Sequence, residues 1–151
     1  MRDIVLSLQQ WLQADERIAL ATIVWTEGSS LRGPGARLAV TASGHVAGSV
    51  SGGCLEGTVF EEAQDVLLSG QPRHLHYSST DTDAWEVGLA CGGTIDVYVE
   101  PFDEIHRRVV ETLVHNGIVT LATDLGNGGH WAMWPDGRSA GDLSIQGRIV
   151  G

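Results

Sequence analysis

Ile18-Ala-Leu-Ala-Thr-Ile-Val-Trp25 is an unbroken apolar run of strand length. A strand with no polar alternation is buried on both faces, so it belongs near the centre of a sheet. Upstream, Ile4, Val5, Leu8, Trp11 and Leu12 recur at helical spacing and predict a helix over Ile4 to Gln13. Downstream, Thr26 to Gly35 is a Gly-, Ser- and Pro-rich loop. Ala36 to Thr41 reads as a second strand, Ser43-Gly44 as a hairpin turn and His45 to Val50 as a third strand. Ser51-Gly52-Gly53 then leads into a helix from about Cys54 to Leu68, whose apolar face is Leu55, Val59, Ala63, Val66 and Leu67. Gly70 is its stop signal. His74 to Tyr77 is a short strand, Ser78 to Gly88 a polar loop interrupted by Trp85, and Thr94 to Glu100 an alternating strand. Asp103 to Asn116 is a helix ended by Gly117, and Ile118 to Thr123 a further buried strand, expected beside the first at the sheet centre.

The last quarter echoes the first. Trp131-Ala-Met-Trp-Pro-Asp-Gly-Arg-Ser-Ala-Gly-Asp-Leu143 parallels Arg37-Leu-Ala-Val-Thr-Ala-Ser-Gly-His-Val-Ala-Gly-Ser-Val50. Both read as strand, X-Gly turn, short strand, Ala-Gly, and both follow a strand carrying Leu-Ala-Thr, at Leu20 and at Leu121. A duplicated three-strand unit follows. The second copy lacks the Gly-Gly-Cys that ends the first, so the first copy carries the chemistry. The fold class is α/β: a mixed central sheet, about three packed helices and an internal strand-hairpin repeat. The chain reads as one domain over residues 1–151.

The 151 residues suit one core. No run approaches the ~18 apolar residues of a membrane helix, and no basic-then-apolar leader opens the chain; a cytoplasmic location is the expectation. A formal net charge of −10 repels nucleic acid. All nine basic residues are arginine. Without lysine there is no Schiff-base chemistry and no Walker-type phosphate loop. A phosphate-bearing ligand would rest on arginine and backbone N–H groups.

Three constellations carry chemistry. Ser51-Gly52-Gly53-Cys54-Leu55-Glu56 stands at a strand-to-helix junction. Its glycines let backbone approach a ligand, and first-turn N–H groups favour an anion. A cysteine in that turn gains thiolate character, partly opposed by Glu56. The plain alternative is a tight turn with a small packed thiol. Cys91-Gly92-Gly93 is a second Gly-Gly pair beside the other cysteine. Taken alone it is a turn; the pairing of both cysteines with Gly-Gly favours a shared pocket. In a cytosolic protein both are reduced thiols. Glu27 to Arg37 offers Ser29, Ser30, Arg32 and Arg37 after the buried strand, and arginine suits bidentate phosphate recognition. The alternative is a solvated loop with arginines paired to surface carboxylates.

Other chemistries are weaker. His74 and His76 share a strand face and with Cys54 and Cys91 make a Cys2His2 set, but the spacing matches no zinc pattern. Two partly exposed strand histidines is the simpler account. No Gly-X-Ser-X-Gly is present. Asp81, Asp83 and Glu86 read as a solvated acidic loop.

Gly28-Ser-Ser-Leu-Arg-Gly-Pro-Gly-Ala-Arg37, Gly48-Ser-Val-Ser-Gly-Gly-Cys-Leu-Glu-Gly57, Ala84-Trp-Glu-Val-Gly-Leu-Ala-Cys-Gly-Gly93 and Ile95-Asp-Val-Tyr-Val-Glu100 occur in order. Together they resemble the XdhC/CoxI family, accessory proteins of xanthine dehydrogenase and related molybdenum hydroxylases. The matching core covers about residues 18–100; residues 101–151 add a helix and the second hairpin unit. The family usually shows Ser-Pro-Arg where this chain has Ser30-Leu31-Arg32, which loosens the loop but keeps the arginine. The resemblance implies a protein that binds a molybdopterin-type molybdenum cofactor, in plain or nucleotide form, protects it, presents it for sulfuration and delivers it to the apo-hydroxylase. It implies Ser29, Arg32, Arg37, Ser51, Gly52, Gly53, Cys54, Glu56, Cys91, Gly92 and Gly93 as cofactor-binding residues, with Cys54 and Cys91 near the molybdenum. Implied partners are the apo-hydroxylase, a sulfurtransferase or cysteine desulfurase, and a separate Rossmann-domain chain. That last expectation arises because family members commonly carry such a domain and no Gly-X-Gly-X-X-Gly appears here; NAD is not expected.

Three function classes stand: a cofactor chaperone with no turnover, a thiol-dependent sulfur-transfer enzyme acting on the cofactor, and a non-catalytic module bridging maturation factors. Exposed sheet edges leave self-association open.

Overall fold

The computed structural model describes residues 1–78 and 93–141. The chain falls into two compact units, residues 1–102 and 103–151.

The first unit opens with a 3-10 turn, Arg2–Ile4, and helix α1, Val5–Gln13. Strands β1 (Ile18–Glu27), β2 (Arg37–Thr41) and β3 (Val46–Gly48) follow, then helix α2 (Glu56–Ser69), β4 (Arg73–Ser78) and β5 (Thr94–Pro101). The five strands form one sheet in the order β3-β2-β1-β5-β4. All described pairings are antiparallel, where a mixed sheet was expected. The apolar run that opens β1 holds the centre, paired with β2 on one side and β5 on the other. Helix α2 lays Val59, Ala63, Val66 and Leu67 on one sheet face, against Ala19, Ala21, Ile23, Leu38, Val40, Val97 and Val99. At its C-terminus Gly70 takes the left-handed conformation (φ 69°) and its N–H donates to the Val66 carbonyl, which closes the helix.

The second unit contains helix α3 (Glu104–Val114) and strands β6 (Thr120–Thr123), β7 (His130–Met133) and β8 (Ser139–Gly141). Its three strands form an antiparallel sheet, β6-β7-β8. The strand expected beside β1 therefore lies in a different sheet, and its leading residue Ile118 is 67% exposed. Both lateral positions of β1 are already filled, so an apolar run at Ile118 could not pair there.

The repeat is visible residue by residue. Leu20 pairs with Ala39 and Ala39 with Ala47; Leu121 pairs with Ala132 and Ala132 with Ala140. The turns match as well: Thr41 N–H donates to His45 O and Gly44 N–H to Thr41 O, while Trp134 N–H donates to Arg138 O and Gly137 N–H to Trp134 O. Gly44 and Gly137 both have positive φ, 94° and 86°. Gly48 (φ 89°) and Gly141 (φ 94°) close the copies, and a Cβ on either would strike a backbone carbonyl, that of Arg37 or that of His130. Only glycine fits either position. The register makes Trp131 the counterpart of Leu38 and His130 that of Arg37, one residue offset from a match that begins at Trp131 and Arg37.

Helix α2 begins at Glu56, not Cys54, with Leu55 as its N-cap. The residues before it, Ser51 to Cys54, form a loop held by the Glu56 side chain. The third strand is also shorter than expected: it ends at Gly48, where Ser49 N–H turns in to the Arg37 carbonyl.

Candidate functional site

The antiparallel order places three connections at one end of the five-stranded sheet. Glu27 pairs with Thr94 and Thr94 with Ser78, while Thr22 pairs with Arg37 and Leu38 with Gly48. The loop after β1, the loop after β3 and the start of β5 therefore share one rim. Close approaches confirm it. A Cβ at Gly52 would stand 3.1 Å from Leu31 Cδ1, and a Cβ at Gly93 would clash with the Ser29 and Glu27 carbonyls. Gly93 is buried there. Cys91 and Gly92 lie outside the described residues, as do Asp81, Asp83 and Glu86.

Glu56 organises the middle loop. Its Oε1 accepts from Ser49 Oγ at 2.6 Å and from the N–H groups of Val50, Ser51 and Gly52 at 3.1, 3.0 and 3.2 Å. Its Oε2 accepts from Ser51 Oγ and from Gly53 N–H, the latter at 2.8 Å. Burial alone would raise its pKa, but the Ser49 and Ser51 hydroxyls and the loop amides outweigh it and hold the carboxyl down to about 2. The loop thus wraps an anion supplied by its own chain. Gly52 (φ 81°) and Gly53 (φ 129°) give the curvature that lets successive N–H groups converge. Ser51, itself buried, also accepts the Leu55 N–H at 2.7 Å and so joins the loop to the helix start. The amides expected to face an external phosphate are turned to Glu56. Cys54 is a half-buried free thiol one residue ahead of the N-cap, not in the first helical turn.

The arginine loop differs in character. Ser29 is exposed, and Ser30 Oγ donates to the Arg32 carbonyl at 2.6 Å. Arg32 Nη2 stands 3.6 Å from Asp3 Oδ2, with both side chains substantially exposed. Arg37 is more deeply set. Burial lowers its pKa, and the carboxylates of Glu100 and Asp3 oppose that by stabilising the charge. Its Nε is buried without a hydrogen-bond partner among the described residues. A buried guanidinium N–H left unmet is costly.

His74 and His76 turn to Asp96 on β5; of the two cysteines weighed with them, Cys91 lies outside the described residues. In the second unit, Asp103 caps α3. Its carboxylate accepts the His106 N–H at 2.9 Å and the His130 Nδ1–H at 2.6 Å. The two rings sit edge to face, 4.3 Å apart, and both histidines are buried. Burial would raise the Asp103 pKa; the hydrogen bonds from His106 and His130 drive it far below the usual carboxylate range.

Sequence reading missed Asp3, Ser49 and Glu100 as partners of the site, and missed the Asp103–His106–His130 cluster. The spacing Asp103-X-X-His106 was the one local signal for the cluster, since it is that of a capping box. His130 was legible only through the exact repeat register.

No helix among the described residues is long and apolar enough to cross a membrane. The family model described as "XdhC and CoxI family" matches residues 11–78. The chain is 31% identical over 143 residues to a protein from Bacillus subtilis (strain 168) named as a probable xanthine dehydrogenase subunit, a match covering 85% of this chain and 43% of the relative. It is 34% identical over 85 residues to "Molybdenum cofactor insertion chaperone PaoD" from Escherichia coli (strain K12), covering 56% of this chain and 26% of that one. The chain thus spans less than half the length of these curated relatives. A crystal structure described as a xanthine dehydrogenase from Bacillus halodurans superposes with a TM-score of 0.74 at 27% identity, over 92% of this chain and 44% of that one. The loops that meet at the sheet rim include those that carry the sequence resemblance, and the chain is similar to the XdhC and CoxI family over residues 11–78.

Proposed function

We propose that this protein binds a molybdopterin-type molybdenum cofactor at the rim of its five-stranded sheet and hands it to an apo molybdenum hydroxylase, without turnover of its own. The observation that carries the reading is the rim itself, where the loop after β1, the loop after β3 and the start of β5 meet, with the half-buried Arg37 at the start of β2. The name of the PaoD relative supports the same cargo.

Arg37 and Arg32 hold the cofactor's phosphate, with the exposed Ser29 hydroxyl beside them. Gly52 and Gly53 contribute close backbone approach rather than phosphate-binding amides, since Glu56 already takes those N–H groups. Ser51 and Glu56 act by fixing the loop. Gly93 contributes close backbone approach at the start of β5, and the reading gives Cys54 and Cys91 the role of thiols serving the molybdenum and its sulfur ligand, Cys91 and Gly92 lying outside the described residues. The bound cargo supplies the molybdenum–dithiolene chemistry; the chain binds, orients and shields it. A sulfurtransferase or cysteine desulfurase and a chain bearing a Rossmann domain are the other partners this role calls for.

Anaerobic purification followed by pterin fluorescence and molybdenum analysis tests the reading. Co-purified pterin and molybdenum in the wild type, reduced in the Cys54→Ala/Cys91→Ala variant, is the expected result. Retention unchanged in that double variant would remove the thiols from the site.

A further inference from the structure

The hairpin of the second repeat differs from the first at the two residues that flank its turn. Thr41 and His45 close the first turn, and Trp134 and Arg138 hold the same positions in the second. Both of the latter line a groove of about 600 Å³ between the β7–β8 hairpin and α3. That volume is in the range of small-molecule sites. On the helix side the groove meets Arg108, Glu111, Thr112 and His115, one stripe at i, i+3, i+4 and i+7 spacing. The Trp134 indole is half-buried and held in place. Its Nε1–H donates to Thr112 Oγ1 at 2.8 Å, and that hydroxyl donates to the Arg108 carbonyl at 2.8 Å. Each arginine is engaged through Nε, Arg138 by Asp136 at 2.7 Å and Arg108 by Glu104 at 3.6 Å. Their Nη groups carry no hydrogen bond among the described residues. None of these residues is among those of the cofactor rim.

We propose that this groove binds a nucleoside monophosphate, its base on the Trp134 indole and its phosphate between Arg108 and Arg138. Guanidinium N–H groups match the oxygens of a phosphate, and a fixed indole offers a base a face to stack on. The Arg138 guanidinium lies over that ring at 5.9 Å, so the face admits a flat group. Its side chain is 76% exposed and swings to a phosphate at little packing cost. Glu111 sets the charge limit: one carboxylate in the groove accepts the sugar hydroxyls but repels a longer phosphate chain. His115 donates from Nδ1 to the Glu111 carbonyl at 2.8 Å, so the neutral ring keeps Nε2 as a further acceptor for those hydroxyls. The second repeat, which lacks the Gly-Gly-Cys of the first, thus has a site of its own.

Calorimetric titration of the full chain with AMP, CMP, GMP and UMP tests the site, with inorganic phosphate as a separate arm. Alongside the wild type run Arg108→Gln/Arg138→Gln, Trp134→Leu and Arg37→Gln, the last at the rim. The expected result is saturable one-to-one binding of at least one nucleotide, retained by Arg37→Gln. The double arginine variant and Trp134→Leu should each weaken it more than about tenfold. No nucleotide bound by the wild type, affinity unchanged in either groove variant, or phosphate alone binding as tightly as the nucleotide would each overturn the proposal. So would binding lost in Arg37→Gln, which would assign the nucleotide to the rim. Melting curves establish which variants are folded. Arg108 and Arg138 are exposed, so the double arginine variant decides should Trp134→Leu fail to fold.

Discussion

Glu56 reaches back across its own loop to Gly53, accepting that residue's N–H at 2.8 Å while it also holds the amides of Val50, Ser51 and Gly52. The first residue of α2 thereby sets the conformation of the segment that leads into it. A carboxylate in that role need not be a ligand-binding group to be indispensable. It shapes the loop from which Cys54 projects.

Glu56→Gln removes the charge and turns an amide donor against backbone donors. Its folded pKa of about 2 lies below the unfolded value of 4.5, so its contribution is fully present above pH 4.5 and is lost as the pH falls toward 2. Discounted for partial exposure, the loss is about 1–2 kcal/mol at neutral pH. Urea denaturation at pH 7 and pH 3.5 checks this: the gap between wild type and variant should be clear at pH 7 and smaller at pH 3.5. An equal gap at both would mean that charge is not the source.

Gly48→Ala and Gly141→Ala should fail alike, because each Cβ meets a carbonyl at the matching point of the two repeats. A positive φ adds strain of about 1–3 kcal/mol, before any cost of moving the backbone. Gly53→Ala has no atom within 4 Å of the added carbon and meets the φ strain alone. Melting temperatures should place both repeat variants well below Gly53→Ala. Equality of the three would show that the repeat geometry is not what demands glycine.

Asp103→Asn keeps an N-cap acceptor but removes the charge that faces His106 and His130. The folded pKa is depressed below the unfolded 3.8, so the stabilisation is complete above that pH and fades below it. Denaturation at pH 6 should show the variant less stable than the wild type, with the difference narrowing at pH 3. A difference that widens in acid would contradict the assignment of charge to Asp103.

The parts of this architecture written in periodicity were legible. The apolar run at Ile18 declared the central strand, and the Ala-Gly and X-Gly signatures declared the repeat, because both are local patterns. Relations across strands were not. Which sheet the strand after Ile118 joins depends on whether the flanks of β1 are already filled, and no window of sequence reports that. The Glu56 clamp hid for a related reason: a glutamate at a helix start reads as a favourable first-turn charge, and only the curvature of Gly52 and Gly53 turns the amides toward it. Asp96 between His74 and His76 required the β4–β5 register, set across a connection outside the described residues.

Everything proposed for the rim rests on cofactor binding at Arg37, and direct titration tests that binding most sharply. Molybdopterin cofactor released from a donor enzyme is added anaerobically to wild type and to Arg37→Gln, after melting curves have shown both folded, and binding is followed by pterin fluorescence. Saturable binding by the wild type is expected, weakened more than about tenfold in the variant, as the loss of a charge-assisted phosphate contact requires. Equal affinity in the two proteins, or no binding by the wild type, would contradict a phosphate-holding role for Arg37.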